Sequence, residues 1–399
     1  MNIGVIFAGG VGCRMHSKER PKQFLEMYNK PIIIHTLEYF QNHPMIDAIV
    51  VVCIESWIPY LKNLLYKFRI EQLRDSSIMI TGATGLVGAS LARALLCANR
   101  INKLNLHILA FVRNREKAKK IFGESLQRND ISLVIGDVNK TIDVEQPVDY
   151  IFHCASVTAS KYMVSNPVET VLTSVEGTKN ILYLAKEKQC KSVIYVSSME
   201  MYGKLESKNV AEMELGYINP LAVRSNYPES KRLCENMCVA FYVEYGVPVK
   251  IARLPQTFGA GILEGENRVF AQFARSAIEG KNILVHTRGL SEGNYCYTRD
   301  TIMGLLFILI KGINGEAYNV SNPKTHTTIV EMAQMVCNKI ANGTIEVQFD
   351  IPQDNRFGYA ADTKMKLNSD KLQKLGWEPK VGLEEMYYRM IQSMKATNS

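Results

Sequence analysis

Ile78-Met79-Ile80-Thr81-Gly82-Ala83-Thr84-Gly85-Leu86-Val87-Gly88 runs from an apolar strand through evenly spaced glycines into a helix-forming stretch, Ala89 to Cys97. Each glycine has a mechanical task there: a tight turn, a close backbone approach to a pyrophosphate, and close packing of helix on strand. The spacing alone is weak evidence, so its surroundings decide. Strand-like apolar segments recur at Leu106 to Val112, Ser132 to Ile135, Tyr150 to His153, Val193 to Ser197 and Val249 to Leu254. Helical patterns separate them, the alternation expected of a doubly wound, Rossmann-like parallel sheet in an α/β fold.

A second opening of the same kind lies upstream. Ile3 to Phe7 leads into Ala8-Gly9-Gly10-Val11-Gly12-Cys13-Arg14-Met15 and then Pro21-Lys22-Gln23-Phe24-Leu25. An amphipathic helix at about 31 to 42, an apolar strand at Ala48 to Cys53 and a helical pattern from about Trp57 to Phe68 follow. One domain needs only one such opening, so two units are expected, 1–75 and 76–395. In the first, backbone N–H groups of the glycine loop could approach a triphosphate, with Arg14 and Lys22 neutralising it.

With 47% hydrophobic and 22% charged residues the chain is an ordinary globular one, long enough for more than one core. Its 47 basic against 39 acidic side chains give +8, which suits a phosphate-rich partner. The basic residues are dispersed, so a small anionic ligand is expected and not nucleic acid. The nine cysteines include no CxxC pair and fall mostly in apolar stretches, reading as buried free thiols of a reducing cytoplasm. Cys234 and Cys238 share a helix face but make a poor zinc site, and no metal is expected. No basic leader precedes the first apolar run, and Leu305 to Ile310 is far short of the roughly 20 residues that span a bilayer, so no membrane association is expected.

The first segment resembles the start of the sugar-phosphate cytidylyltransferases that make CDP-methylerythritol or CDP-ribitol, whose AGGxGxRM and PKQF elements it reproduces. The resemblance implies that Arg14 and Lys22 would contact CTP phosphates. It stops near residue 72, whereas a complete domain of that family is much longer, so an inactive partial α/β nucleotidyltransferase fragment is expected. Its apolar strands would need cover from the second domain or another subunit.

Residues 76–395 resemble the extended short-chain dehydrogenase/reductases that act on sugar nucleotides. The motifs stand in the family's order: TGATGLVG at 81–88, GDV at 136–138, HCAS at 153–156, VSSMEMYG at 196–203, YPESK at 227–231 and RLPQTFG at 253–259. Tyr227 and Lys231 lie one helical turn apart on one face of the helix that Pro228 opens. A free tyrosine titrates at about 10, and a nearby ammonium together with an oxidised nicotinamide would lower it. Tyr227 would then take a hydroxyl proton while hydride leaves the same carbon. Lys231 would also hold the nicotinamide ribose, and Ser198 would fix the reacting oxygen.

The same resemblance places Gly82, Thr84, Gly85, Leu86, Val87 and Gly88 at the cofactor. Asp137 and Val138 would meet its adenine end, while Ala155, Ser156, Ser174 and Pro255 would line the cleft. Arg113, followed by Arg115, stands where an acidic residue would clamp NAD, so NAD and NADP both stay open. In the dehydratase branch two acids matter, at the positions of Met199 and Glu200. Met199 cannot protonate a leaving hydroxyl, which argues against dehydration. Glu200 remains available, and Arg224-Ser225-Asn226-Tyr227 is closest to the UDP-glucuronate decarboxylase and 4-epimerase branches.

Gln256 and Arg268 match positions that touch the sugar nucleotide, as Ser198 and Met199 would. Where the family often carries an arginine four residues before Tyr297 this chain has Gly293, and Arg268 or Arg288 are candidates to replace it. His153 reads as a packing residue. Phe241, Tyr242 and Tyr245 fit the buried face of the catalytic helix, which in this family often pairs across a homodimer interface. From about 256 onward a small C-terminal substrate lobe is expected, with helices at Glu331 to Ile340 and Leu372 to Trp377.

The expected activity is net epimerisation through a 4-keto sugar, in surface polysaccharide precursor synthesis, on a UDP-, CDP- or dTDP-linked sugar. NADPH-dependent 4-keto reduction and decarboxylation are the alternatives. Cytidylyl transfer by the N-terminus and a non-catalytic nucleotide-binding protein are the readings from other classes.

Overall fold

The structure is a computed structural model that describes residues 3–9, 21–27, 30–41, 46, 48–61, 71–205, 209–352 and 362–398. The chain divides into two compact units, Met1–Arg74 and Asp75–Ser399.

In the first unit β1 (Ile3–Phe7), α1 (Ile32–Gln41) and β2 (Ala48–Val52) build one layer on another, with β1 and β2 paired in parallel. Ile6, Ala8, Phe24, Ile33, Ile34 and Leu61 form a small core. The opposite face of the strands exposes Ile3, Val5, Phe7, Val50 and Val52, although parallel strands are usually covered on both sides. Lys22 is exposed at the start of a short turn, Lys22–Phe24, whose Gln23 donates to the Ala8 carbonyl. Arg14 and most of the helical pattern at 57–68 lie outside the described residues.

The second unit is built on β3 (Ser77–Thr81), α2 (Leu86–Asn102), β4 (His107–Val112), β5 (Ile131–Ile135), β6 (Tyr150–His153), α3 (Pro167–Glu187), β7 (Ser192–Ser198), α4 (Asn226–Tyr245) and β8 (Val249–Leu254). Then come β9 (Gln256–Phe258), α5 (Val269–Glu279), β10 (Tyr295–Tyr297), α6 (Thr298–Lys311) and β11 (Ala317–Asn319). Seven of these strands form a parallel sheet in the order β11-β8-β7-β6-β3-β4-β5. The order reverses between β3 and β6, so their carboxyl ends open the crevice where such sheets bind ligands. Burial of all six residues of β8 follows from helices on both faces.

Strand β11 escapes a sequence reading because it is three residues long, and the β8 register that makes it a strand, Ile251 against Ala317, is long-range. Helices α3 and α4 cover one face, where Ile181, Cys234, Cys238 and Phe241 pack on Met79, Leu109, Ile151 and Val193. Gly246 closes α4 in the left-handed region (φ 71°), its N–H returning to the Tyr242 carbonyl at 3.0 Å. Tyr242 and Tyr245 do not belong to the buried face as expected: they are 37% and 39% exposed while Phe241 is buried. Nor are the thiols uniformly buried, since Cys97 is exposed and Cys53 and Cys154 are partly so. Helix α4 also starts two residues before Pro228, led in by the turn Val223–Ser225.

The C-terminal lobe has its own core, in which Phe258 stacks on Phe270 at 4.5 Å. It is not confined to residues after 256, because Asn209–Val210 pairs with Lys366–Leu367 while α6 and β11 return to the main sheet. The helix expected at 331–340 is an α-helix, Ile329–Met335, that widens into a π turn, Val336–Ile340, and Thr328 with Glu331 closes its start reciprocally. The helix expected at 372–377 is Asp370–Lys374, and Trp377 instead buries its ring and donates to the Asp300 carbonyl at 2.9 Å. No helix of the described residues is long and apolar enough to cross a membrane.

A buried polar network joins the two halves of this unit. Arg253 of β8 meets Glu235 of α4 at 2.6 Å, both side chains 8% exposed. Ser197 donates to Glu235 at 2.5 Å, while Arg253 also reaches the Tyr202 hydroxyl at 2.9 Å and the Glu212 carbonyl at 2.6 Å. Tyr202 donates to Asn319 at 2.7 Å, and Asn319 donates to the carbonyls of Val210 and Asn368. Breaking such a pair strands a charge out of water, so Arg253→Met should cost about 3–5 kcal/mol in urea unfolding. Arg253→Met with Glu235→Met should be less damaged than the single change; an unaltered midpoint for the single variant refutes the assignment.

Candidate active site

The cradle at the switch point is made by glycines that have no room for a side chain. Gly82 takes φ 63°, and a Cβ there would lie 2.8 Å from the Ala155 nitrogen. At Gly88 a Cβ would come within 2.4 Å of the Gly82 carbonyl oxygen, so α2 and the turn can touch only without it. Gly85 caps α2 without a side-chain hydrogen bond, leaving first-turn N–H groups toward the crevice end of the sheet. A dinucleotide's pyrophosphate fits this cradle: close backbone, helix amino end and no competing cap. The helix carries Leu86 and Val87 in its first turn, and Thr84 sits within the loop.

Behind the cradle, Thr81 and His153, the last residues of β3 and β6, meet at 2.7 Å, and Thr178 approaches the other ring nitrogen at 3.4 Å. Burial, aided by the Lys231 charge, pushes His153 down to about 3, so the ring is neutral and structural. Ala155 donates its N–H to Thr81, and Ser156 follows on the same loop, half-buried. Val138 is buried beside Gly177, Asp137 is half-buried and accepts from the Asn139 N–H, and Pro255 is buried at the end of β8. Ser174 is buried where α3 meets α4: its hydroxyl donates to Thr170 and its carbonyl accepts from Thr178 and Cys234. Arg113 and Arg115 are exposed just beyond β4.

Tyr227, Lys231 and Ser198 come together as the spacing requires. Tyr227 is buried in the first turn of α4, and hydrogen bonding brings Ser198 and Ser156 to its hydroxyl. The Lys231 ammonium donates to the Val196 carbonyl at 2.9 Å, 5.7 Å from the centre of the Tyr227 ring. Burial pushes Tyr227 up to about 12 and the Glu200 charge adds to it, against the pull of Ser198, Ser156 and Arg224. Lys231 is itself lowered by burial, which disfavours its charge.

Glu200 sits on the turn Met199–Tyr202 that follows β7, where Ser198 caps the Glu200 N–H at 3.3 Å. Its carboxylate is held by Arg224, whose Nη2 lies 3.1 and 2.9 Å from the two oxygens. Arg232, next to Lys231, fixes the turn by donating to the carbonyls of Met201, Tyr202 and Gly216. Sequence reading missed Arg224 and Arg232 as individuals; the signal was their placement beside Tyr227 and Lys231. Met199 packs against the cluster around Met201 and Tyr202, near Gly293. Gln256 accepts from Arg268 at 3.4 Å, but Arg268 is otherwise committed to Glu266, at 2.6 Å. Arg288 is exposed. Among the described residues no group of His, Cys, Asp or Glu could hold a metal ion.

Residues 78–321 match the NAD dependent epimerase/dehydratase family, and residues 3–85 match 2-C-methyl-D-erythritol 4-phosphate cytidylyltransferase. The second match runs past the expected limit near 72 and shares 78–85, which the structure assigns to β3 and the glycine loop of the main sheet. The chain is 32% identical over 332 residues to UDP-glucuronic acid decarboxylase 1 of Danio rerio, covering 82% of this chain and 74% of that one. It is 31% identical over 310 residues to UDP-glucuronic acid decarboxylase 5 of Arabidopsis thaliana, covering 77% and 86%. In fold it is similar to the epimerase Mth375 of Methanothermobacter thermautotrophicus, with TM-score 0.71, 22% identity and coverage of 84% and 96%. It is similar also to UDP-glucuronic acid 4-epimerase of Bacillus cereus, with TM-score 0.67, 19% identity and coverage of 80% and 99%.

Two outcomes follow from this geometry. Gly88→Ala should lower folding stability by about 1–3 kcal/mol through overpacking and weaken NAD binding in calorimetry; undiminished NAD binding would contradict the cradle. His153 titrates at about 3 folded and about 6.5 unfolded, so between those values the unfolded chain binds the extra proton. Its contribution is complete above about 6.5 and is lost as pH falls toward about 3. His153→Gln should therefore flatten the acid side of a stability-against-pH curve, and a curve parallel to that of the unaltered protein would count against it.

Proposed function

Because the chain belongs to the NAD dependent epimerase/dehydratase family, we propose that it oxidises C4 of UDP-glucuronic acid and releases the C6 carboxyl group as CO2. The observation that carries this reading is the identity with UDP-glucuronic acid decarboxylases over more than three quarters of the chain. Met199, in the place of an acid that dehydration needs, agrees with it. It moves decarboxylation ahead of the net epimerisation that the motifs alone put first.

Bound NAD supplies the hydride acceptor, and its oxidised ring adds the positive charge that the Tyr227 phenol needs to ionise near neutral pH. Tyr227 takes the proton of the C4 hydroxyl as C4 gives up hydride, and the alcohol becomes a ketone. Ser198 holds the oxygen against Tyr227, and Lys231 ties α4 to the Val196 carbonyl of β7. With a ketone at C4 the C6 carboxylate is β to a carbonyl. The C5–C6 bond breaks, its electron pair passes to the C4 oxygen as an enolate, and CO2 leaves. Tyr227 lends its proton to that oxygen and takes it back as C5 gains a proton from water and the ketone reforms. Hydride returned to C4 together with the Tyr227 proton would give a UDP-linked pentose.

In this reading catalysis lies in residues 75–399, and Met1–Arg74 transfers no cytidylyl group. A homodimer fits the apolar side chains that α3 and α4 leave exposed, among them Leu172, Tyr183, Leu233 and Val243. Incubation of the full chain with NAD and UDP-[6-13C]glucuronic acid should release labelled CO2 and a product lighter by the carboxyl group. Tyr227→Phe should lower the rate by at least about a hundredfold while NAD still binds. A product of unchanged mass inverted at C4 would replace decarboxylation by epimerisation.

A further inference from the structure

UDP-glucuronic acid differs from UDP-glucose in one group, the carboxylate on the carbon next to the reacting C4. Since Tyr227 and Ser198 hold the C4 oxygen, that carboxylate must lie beside them, and a cation there would tell the two sugars apart. The cations packed around the catalytic turn differ in what they have left to give. Lys231 is buried, with its ammonium on the Val196 carbonyl. Arg232 spends its donors on the carbonyls of Met201 and Tyr202 in the turn and of Gly216 beyond it, and Arg268 is held by Glu266.

Arg224 is different. Its Nη2 serves both oxygens of Glu200, while Nη1 and Nε make no hydrogen bond among the described residues. The side chain is 24% exposed, and its guanidinium carbon lies 6.0 Å from the centre of the Tyr227 ring. A planar fork with two free donors, at the mouth of the catalytic cluster, suits a carboxylate that arrives with a sugar.

We propose that Arg224 is the specificity residue that receives the C6 carboxylate, and that Glu200 is its resting partner. This rests on the decarboxylase reading. Glu200 keeps the guanidinium extended beside Tyr227 when no substrate is bound, which reduces the side-chain ordering that binding would otherwise require. It also keeps the hold on the substrate carboxylate loose. That matters because the group must leave as neutral CO2, and a full ion pair to it would favour the ground state over the transition state.

The test compares the NAD-loaded full chain with Arg224→Met and Arg224→Lys, measuring Kd for UDP-glucuronic acid and for UDP-glucose by calorimetry, and CO2 release. Losing a charge-assisted contact should reduce the preference for UDP-glucuronic acid over UDP-glucose by at least about tenfold in Arg224→Met. Arg224→Lys, which keeps the charge but not the fork, should fall between. An equal weakening of both sugars in Arg224→Met, with CO2 release by the unaltered protein intact, overturns this assignment alone and leaves Arg224 a purely structural partner of Glu200. An unaltered protein that neither prefers UDP-glucuronic acid nor releases CO2 from it overturns both this and the decarboxylase reading.

Discussion

Arg253 and Glu235 are a full ion pair enclosed in protein, and the catalytic geometry hangs on what they connect. Glu235 stands one turn beyond Lys231 on α4, so the pair pins that helix to the end of β8. Ser197, which also donates to Glu235, is the neighbour of Ser198, so the same carboxylate fixes the strand that carries Ser198. Tyr202 and Asn319 extend the network to the turn beneath Glu200 and to the edge strand β11. The desolvation of two charges is offset only because every part of the network is hydrogen-bonded in turn. Serine, tyrosine and lysine thus sit on elements locked to one another and not on mobile loops.

The electrostatics of the site divide between groups that are permanently settled and groups that await a ligand. His153 is settled: burial and two threonines keep it neutral under the cradle. Tyr227 is not, since burial and the Glu200 charge keep the phenol protonated at neutral pH, with no phenolate to take up a proton. In the proposed reaction such a tyrosine would ionise only beside a positively charged ring, which would couple proton transfer to cofactor binding.

The strands of the main sheet were legible because a strand buried on both faces is a largely apolar run between turn signals, as Ile78–Ile80 of β3 and Ile108–Val112 of β4 are. The glycine turn was legible for a steric reason, since only glycine meets the contacts now seen at Gly82 and Gly88. What sequence does not carry is the partner of a side chain far away in the chain. Glu200 could be read as a candidate acid, but its tie to Arg224 depends on how the turn after β7 folds against the start of α4. For the same reason β11 was invisible, and Tyr242 and Tyr245 were given to a core that α3 leaves only Phe241 to fill. Arg268 could be read as a sugar-facing cation, whereas its guanidinium is satisfied by Glu266 two residues away.

The uncovered face of β1 and β2 matters for how this chain behaves in bulk. Ile3, Val5, Phe7, Val50 and Val52 make a strip of branched and aromatic side chains on a sheet that has two strands among the described residues. A surface of that kind attracts strands and chaperones alike, whatever the rest of the molecule does. Solubility, yield and colloidal lifetime of the whole chain are then sensitive to this small unit, which the peptide bond at Arg74 joins to the large one.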